Sequence, residues 1–345
     1  MVNKPFDRVF GESRSPSLRS RSAAGVRAGT GAESLPPRRA TAFSGVSGIA
    51  DLAPRQVRVG PLSMGYIEAG PTAAPVALLL HGWPYGIHSF ADVVPLLTAQ
   101  GFRVVVPYLR GHGTTRFVSA ETFRNGQQTA VALDIVALMD ALGIGSAVLG
   151  GFGWGAQTAQ TIAVLWPERS RALVSAAGHP DTADGGGALP LPPTSQWAWW
   201  SRHYRSLAAA WPGPERHGVI RSMWKDLSPG WDFDDATFET ASPAFGNPDW
   251  ARIAVHSHQW QLGQADGDPR LDGLEARVAA DPTIAVPTIA LDAELDPSRP
   301  AGGPAAYWDR FIGKLGHRTL MGIGHNIPQE SPAAFAQAVV DAHRL

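Results

Sequence analysis

The chain has no cysteine among its 345 residues, which excludes disulfide bonds, a thiol nucleophile and thiolate-ligated metal. It has no apolar run approaching the roughly 18–20 residues that a membrane span requires. Neither sign of charge dominates: 29 Lys and Arg stand against 30 Asp and Glu, so no global positive field argues for nucleic acid. Only 17% of residues are charged, whereas 44% are hydrophobic, a balance that excludes a disordered chain or a coiled coil and supplies a sizeable core. The 38 glycines and 29 prolines imply many turns without reaching a low-complexity composition. These absences leave a soluble globular protein, of one large or two ordinary domains by length.

Charge is unevenly placed. Residues 1–50 carry eight Lys and Arg against three acids, lie in Ser-, Gly- and Arg-rich sequence and show no apolar period, so this stretch reads as a flexible basic tail. Arg38-Arg39 resembles the pair in a twin-arginine export signal, but no apolar segment follows it. A cytoplasmic location is therefore expected, with periplasmic export as the weaker alternative.

From residue 51 the pattern alternates. Val57–Gly60 and Met64–Glu68 read as short antiparallel strands. Val76–Leu80 and Arg103–Pro107 are continuous apolar runs of the kind buried on both faces of a sheet. Helical spacing marks Ser89–Gln100, Gln127–Leu142 and Trp154–Leu165, with strands at Ser146–Gly150 and Ala172–Ala176. The stretch from about 186 to 275 breaks the alternation and holds eight of the twelve tryptophans. Strand (Thr283–Leu291), helix (Pro304–Ile312), strand (Arg318–Met321) and helix (Pro332–His343) then follow. Such alternation demands a mostly parallel central sheet with helices on both faces. The expected organisation is a tail (1–50), an α/β core in two parts (51–185 and 276–345) and a helical cap (186–275) inserted over the carboxyl ends of the strands, where open α/β sheets bind ligands.

Three loops at strand ends carry chemistry. His81-Gly82-Trp83-Pro84 follows a buried strand, and its glycine lets backbone N–H groups turn toward a reacting oxygen. Gly151-Phe152-Gly153-Trp154-Gly155 joins a strand to a helix, with glycines that permit a sharp turn lifting residue 153 above the sheet. Gly322-Ile323-Gly324-His325-Asn326 follows the last strand, and Asp296 follows the one before. An aspartate that orients His325 through one ring nitrogen leaves the other as a general base.

Taken in this order, with Arg110-Gly111-His112-Gly113 after the second long strand, these motifs make residues 51–345 resemble an α/β-hydrolase of the epoxide hydrolase and haloalkane or haloacetate dehalogenase branch. The resemblance implies the α/β-hydrolase fold, a small-molecule substrate and no cofactor or metal. In that branch the elbow usually reads G-x-D-W-G, and the aspartate attacks carbon to form an ester. His325, oriented by Asp296, would activate the hydrolytic water. Backbone N–H groups of Trp83 and Trp154 would form the oxyanion hole, and Trp154 and Pro84 would line the substrate site.

The nucleophile position here is Gly153, which has no side chain to attack with. Three readings follow: a nucleophile-deleted form, since Asp→Gly needs one base change; direct water activation by His325 and Asp296; or a protein that binds without turnover. The resemblance also implies two cap tyrosines in epoxide hydrolases. Only Tyr204 lies in the insert, with Ser201 expected near the first tyrosine position and His258 near the second, which counts against ordinary epoxide opening. Arg110 either holds a substrate carboxylate, as arginines do in haloacetate dehalogenases, or forms a structural ion pair. His256 and His258 lack nearby acids and make a poor metal site; His81 is expected to fix the oxyanion loop. Gly151–Ala156 also fits the dinucleotide pattern G-x-G-x-x-A, yet several strands precede it and no acid ends the next strand, Arg171–Gly178. The expected substrate is a small apolar ester, halide or epoxide, and the alternative is a catalytically silent ligand-binding protein.

Overall fold

The computed structural model describes residues 53–178, 194–210, 213–298, 307 and 309–345. The expected tail, His179 and residues 304–306 and 308 of the expected helix Pro304–Ile312 lie outside them. The chain opens with an antiparallel hairpin, β1 (Arg55–Val59) and β2 (Leu62–Ala69), in which Val57 faces Met64. Strand β2 runs antiparallel to β4 (Arg103–Pro107), and the short β5 (Arg116–Phe117) pairs with β2. From there every pairing is parallel, through β3 (Val76–Leu80), β6 (Ala147–Phe152), β7 (Ser170–Ala176), β8 (Thr288–Ala293) and β9 (Leu315–Leu320). The nine strands run in the order β1-β2-β4-β3-β6-β7-β8-β9, with β5 beside β2. The order reverses around β3 and β4, which brings the ends of β3 and β6 side by side.

Alternation along the buried strands splits the core in two. Ala77 and Leu79 face one layer with Val104, Val148, Val174 and Phe335, whereas Leu78 and Leu80 face another with Val105, Leu149, Ile135 and Ile162. The second layer is closed by helices Gln128–Ala141 and Trp154–Leu165. The first is closed by helices Val93–Ala99 and Pro332–Arg344.

Several boundaries differ from expectation, β9 opening at Leu315 where the expected strand begins at Arg318, and two of the differences trace to proline. The strand expected over Thr283–Leu291 is β8 at Thr288–Ala293, since Pro287 has no N–H to donate to a ladder. The helix expected over Ser89–Gln100 divides into a 3-10 turn, Ile87–Phe90, and a helix, Val93–Ala99, whose first turn accommodates Pro95. Residues 309–312, expected to end a helix, form a turn and a bridge between Phe311 and Ile284.

Between β7 and β8 the described chain is helical: Thr194–Ala210, Arg216–Leu227, Asp235–Ala241, Trp250–Gln261 and Asp272–Ala280. Its aromatic residues Trp224, Phe238, Phe245 and Trp250 are buried in one cluster with Trp83 and Phe152 of the sheet's loops. No helix among the described residues is long and apolar enough to cross a membrane.

Candidate active site

The elbow forms where β6 gives way to helix Trp154–Leu165. Gly153 has φ 52° and ψ −120°, backbone that a side chain adopts only under strain. Its N–H donates to the Ala176 carbonyl on β7 at 3.1 Å, and its own carbonyl accepts from Gln157 N–H at 3.1 Å. The helix can start so near the sheet because Gly155 has no side chain: a β-carbon there would stand 1.9 Å from the Leu80 carbonyl oxygen.

That carbonyl belongs to the end of β3, where the His81–Pro84 loop begins. His81 is fully buried; Leu109 N–H donates to its Nε2 at 3.1 Å, so Nδ1 carries the proton and donates to the Gly82 carbonyl at 2.9 Å. Burial pushes the His81 pKa down to about 4, offset in part by the Gly82 bond. Trp83 and Pro84 are joined by a cis peptide bond. The Trp83 ring lies inside the protein, stacked on Tyr204 at 4.5 Å, on Trp250 at 5.7 Å and on Trp154 at 6.2 Å. The Trp224 indole N–H donates to the Pro84 carbonyl at 2.9 Å, tying the helical segment to this loop.

On the other side stand Asp296 and His325, each 2% exposed. His325 Nδ1 lies 2.7 Å from Asp296 Oδ2. The other oxygen, Oδ1, accepts from Ser298 N–H at 2.9 Å and from its hydroxyl at 2.6 Å. A carboxylate so held keeps the proton on Nδ1 and leaves Nε2 as the free nitrogen. Nε2 lies 2.8 Å from where a β-carbon on residue 153 would stand, and Cε1 lies 3.3 Å from it. The imidazole thus fills the space that the first atom of a nucleophile's side chain would take. Tyr85 stacks beside His325 at 6.0 Å; burial, then the charges of Glu330 and Asp296, pushes its phenol well above its ordinary pKa.

The structure therefore brings together Gly153, His325, Asp296, Trp83 and Trp154, and treats the other expected residues differently. Of the two roles expected for Arg110, the geometry matches the structural ion pair and not the holding of a substrate carboxylate: its guanidinium donates to Asp134 at 2.7 Å and to the carbonyls of Asn125 and Ala130 at 2.7 and 2.9 Å, and the residue is 5% exposed. Tyr204 lies between Trp83 and His258, whose ring stacks on it at 4.1 Å. Ser201 and His258 do meet, at 3.5 Å between Oγ and Nε2. Burial, and then the charge of Arg205, lowers the His258 pKa to about 4. His256 accepts from Gly126 N–H at 3.0 Å and binds the Asp266 carbonyl through its other nitrogen. Among the described residues no group of three or more His, Asp or Glu side chains could hold a metal ion.

Sequence reasoning passed over Ser298, Ser228, Tyr85 and Glu330. Glu330, on the short helix Ile327–Glu330 after His325, accepts from Ser228 Oγ at 2.6 Å and from the N–H groups of Gly324 and Asn326 at 2.7 and 3.1 Å. An acid five residues beyond His325 was the available signal.

Comparison with known proteins bears on the fold and the family. Residues 75–214 match the family model described as alpha/beta hydrolase fold. A crystal structure of a provisionally assigned epoxide hydrolase from Klebsiella pneumoniae is 47% identical, covering 85% of this chain and 97% of that one with a TM-score of 0.79. The magnesium-chelatase 30 kDa subunit of Rhodobacter capsulatus is 36% identical over 240 residues, 67% of this chain and 78% of that protein. Epoxide hydrolase A of Mycobacterium tuberculosis is 33% identical over 122 residues, and the match spans 37% of its length.

Proposed function

The chain belongs to the α/β-hydrolase family, in its epoxide hydrolase-like branch, and we propose that it hydrolyses a small apolar ester, halide or epoxide by direct activation of water. The observation that carries this reading is the Asp296–His325 pair, whose free nitrogen faces the side-chain-less elbow residue. His325 Nε2 takes a proton from water as the water oxygen bonds to the substrate carbon. In an ester the carbonyl oxygen becomes an oxyanion; in an epoxide the ring C–O bond breaks and its oxygen takes the charge. The N–H groups of Trp83 and Trp154 receive that charge, the latter in the first turn of a helix, where amides have no intrahelical acceptor. The imidazolium then returns its proton to the leaving oxygen. A halide would leave as the anion, its charge met by the Trp154 indole N–H, and the imidazolium would then give its proton to solvent. Helices within residues 186–275 serve as the cap that excludes water, with Tyr204 and His258 in its inner wall and Pro84 at the loop beneath.

A second reading, ligand binding without turnover, is favoured by Gly153 itself and by the likeness to a protein named as a chelatase subunit. The two are separated by offering aryl esters, haloacetates and styrene-type epoxides to this protein, to Gly153→Asp and to His325→Ala. Turnover by the unaltered chain that disappears in His325→Ala supports water activation, and turnover surviving that change overturns it. Activity only in Gly153→Asp identifies a disarmed covalent hydrolase. In that variant His325 must first give way, since an added β-carbon meets Nε2 at 2.8 Å. Silence from all three, with each protein folded, selects the binding reading.

A further inference from the structure

His325 is held on one side by Asp296 and on the other by a second carboxylate. Glu330 accepts from Gly324 N–H at 2.7 Å through Oε2 and from Asn326 N–H at 3.1 Å through Oε1. These two amides flank His325, so one side chain grips the backbone before and after the base. The same Oε1 accepts from Ser228 Oγ at 2.6 Å, and Ser228 ends the helix Arg216–Leu227 of the segment between β7 and β8. His325 N–H donates to the Leu227 carbonyl at 3.1 Å in the same place. Gly324 packs so closely on Ser228 that a β-carbon would stand 2.5 Å from the serine Cα.

We propose that Glu330 is a positioning residue for His325: its carboxylate holds the amide groups of the residues before and after that histidine and ties them, through Ser228, to the end of a cap helix. This rests on His325 being the working base of the site. All three partners of Glu330 donate to it, so the arrangement is built for the ionised form. Burial raises its pKa, while those hydrogen bonds and the charge of His325 pull it back. The groups facing His325 are Asp296 and Ser298 from the turn after β8, Tyr85 from the loop after β3, and Glu330 from the helix after it. Two of these four are carboxylates, and the Glu330 carboxylate is attracted by a charge on His325. Glu330 therefore orients the base and stabilises the imidazolium formed when it takes a proton.

The test is a titration of the full chain labelled with ¹⁵N, the His325 ring being assigned by its loss in His325→Gln. Glu330→Gln keeps the shape and removes the charge. Protonation of the His325 ring then moves to lower pH by about one unit, and Glu330→Asp, which keeps the charge, restores much of the shift. A folded Glu330→Gln protein whose His325 ring titrates unchanged overturns the proposal. Should Glu330→Gln fail to fold, Ser228→Ala keeps every charge and loosens only the tie. Amide exchange at Gly324 and Asn326 then quickens by about tenfold, and unchanged exchange overturns the proposal equally. None of these readouts requires turnover, so silence in the hydrolysis panel defeats the proposed reaction while leaving the ring titration to decide the role of Glu330.

Discussion

Two carboxylate–imidazole pairs, the second only partly buried, lie at the same end of the sheet order, and they differ in what each leaves over. Asp296 grips His325 through Nδ1 at 2.7 Å, and Nε2 is kept for the space at residue 153. Four residues earlier, Asp292 on β8 binds His317 on β9 through Nε2 at 2.9 Å, and its other oxygen accepts from the Tyr307 hydroxyl. The second pair uses up both carboxylate oxygens between two elements of the scaffold, where His317 and its strand neighbours sit in ladder register with β8. The first stands on turns beyond the strand ends, next to a helix start. An acid beside a histidine is therefore ambiguous by itself; the nitrogen left over, and what it faces, separates the proposed base from a brace.

Substitution breaks this comparison most sharply at the histidines. His325→Ala lowers hydrolysis by at least about 10³-fold, whereas His317→Ala leaves kcat per folded molecule within about threefold; steady-state kinetics on the responding substrate checks both. At the acids the ordering reverses for stability. Asp292→Ala strips the buried Tyr307 hydroxyl and the half-buried His317 of their acceptor and costs about 3–4 kcal/mol in urea unfolding. Asp296→Asn keeps the shape of its side chain, costs less stability and falls chiefly on turnover.

A histidine without any carboxylate sharpens the contrast. His81 is buried neutral, with its pKa lowered to about 4. The unfolded chain binds a proton there near pH 6.5 and the folded chain does not. Its contribution to stability is therefore whole above that pH and falls progressively as the pH drops from 6.5 to 4, by about 3 kcal/mol. Unfolding measured across that window in this protein and in His81→Gln checks it, the variant showing the shallower acid slope. The smallest effect is at the elbow. Gly153→Ala places a β-carbon at positive φ against His325 Nε2 and lowers stability by about 1–2 kcal/mol, read in the same assay.

How much of this was legible follows the range of the signal. The parallel strands and the helix Trp154–Leu165 were legible because apolar runs and local spacing report them directly. Pro287 and Pro95 could have corrected two boundaries, since each marks where a ladder or a helix can begin. The three chemical loops were legible as motifs. Arg110 was left between two roles because its partners, Asp134, Asn125 and Ala130, stand 15 to 24 residues away. The grip of Glu330 on Ser228 joins residues 102 apart, and no local pattern encodes a contact between a core turn and a helical insertion. The pair Asp292–His317 was invisible for the same reason: only the parallel register of β8 and β9 brings it together.

The Trp224 indole on the Pro84 carbonyl bears on how such proteins are recombined. The helical segment is not a detachable module: one of its side chains completes the hydrogen bonding of the loop that begins at His81. A chimera that imports a foreign segment must import an indole, or another donor of equal reach, along with it. Otherwise it strands a buried carbonyl in that loop.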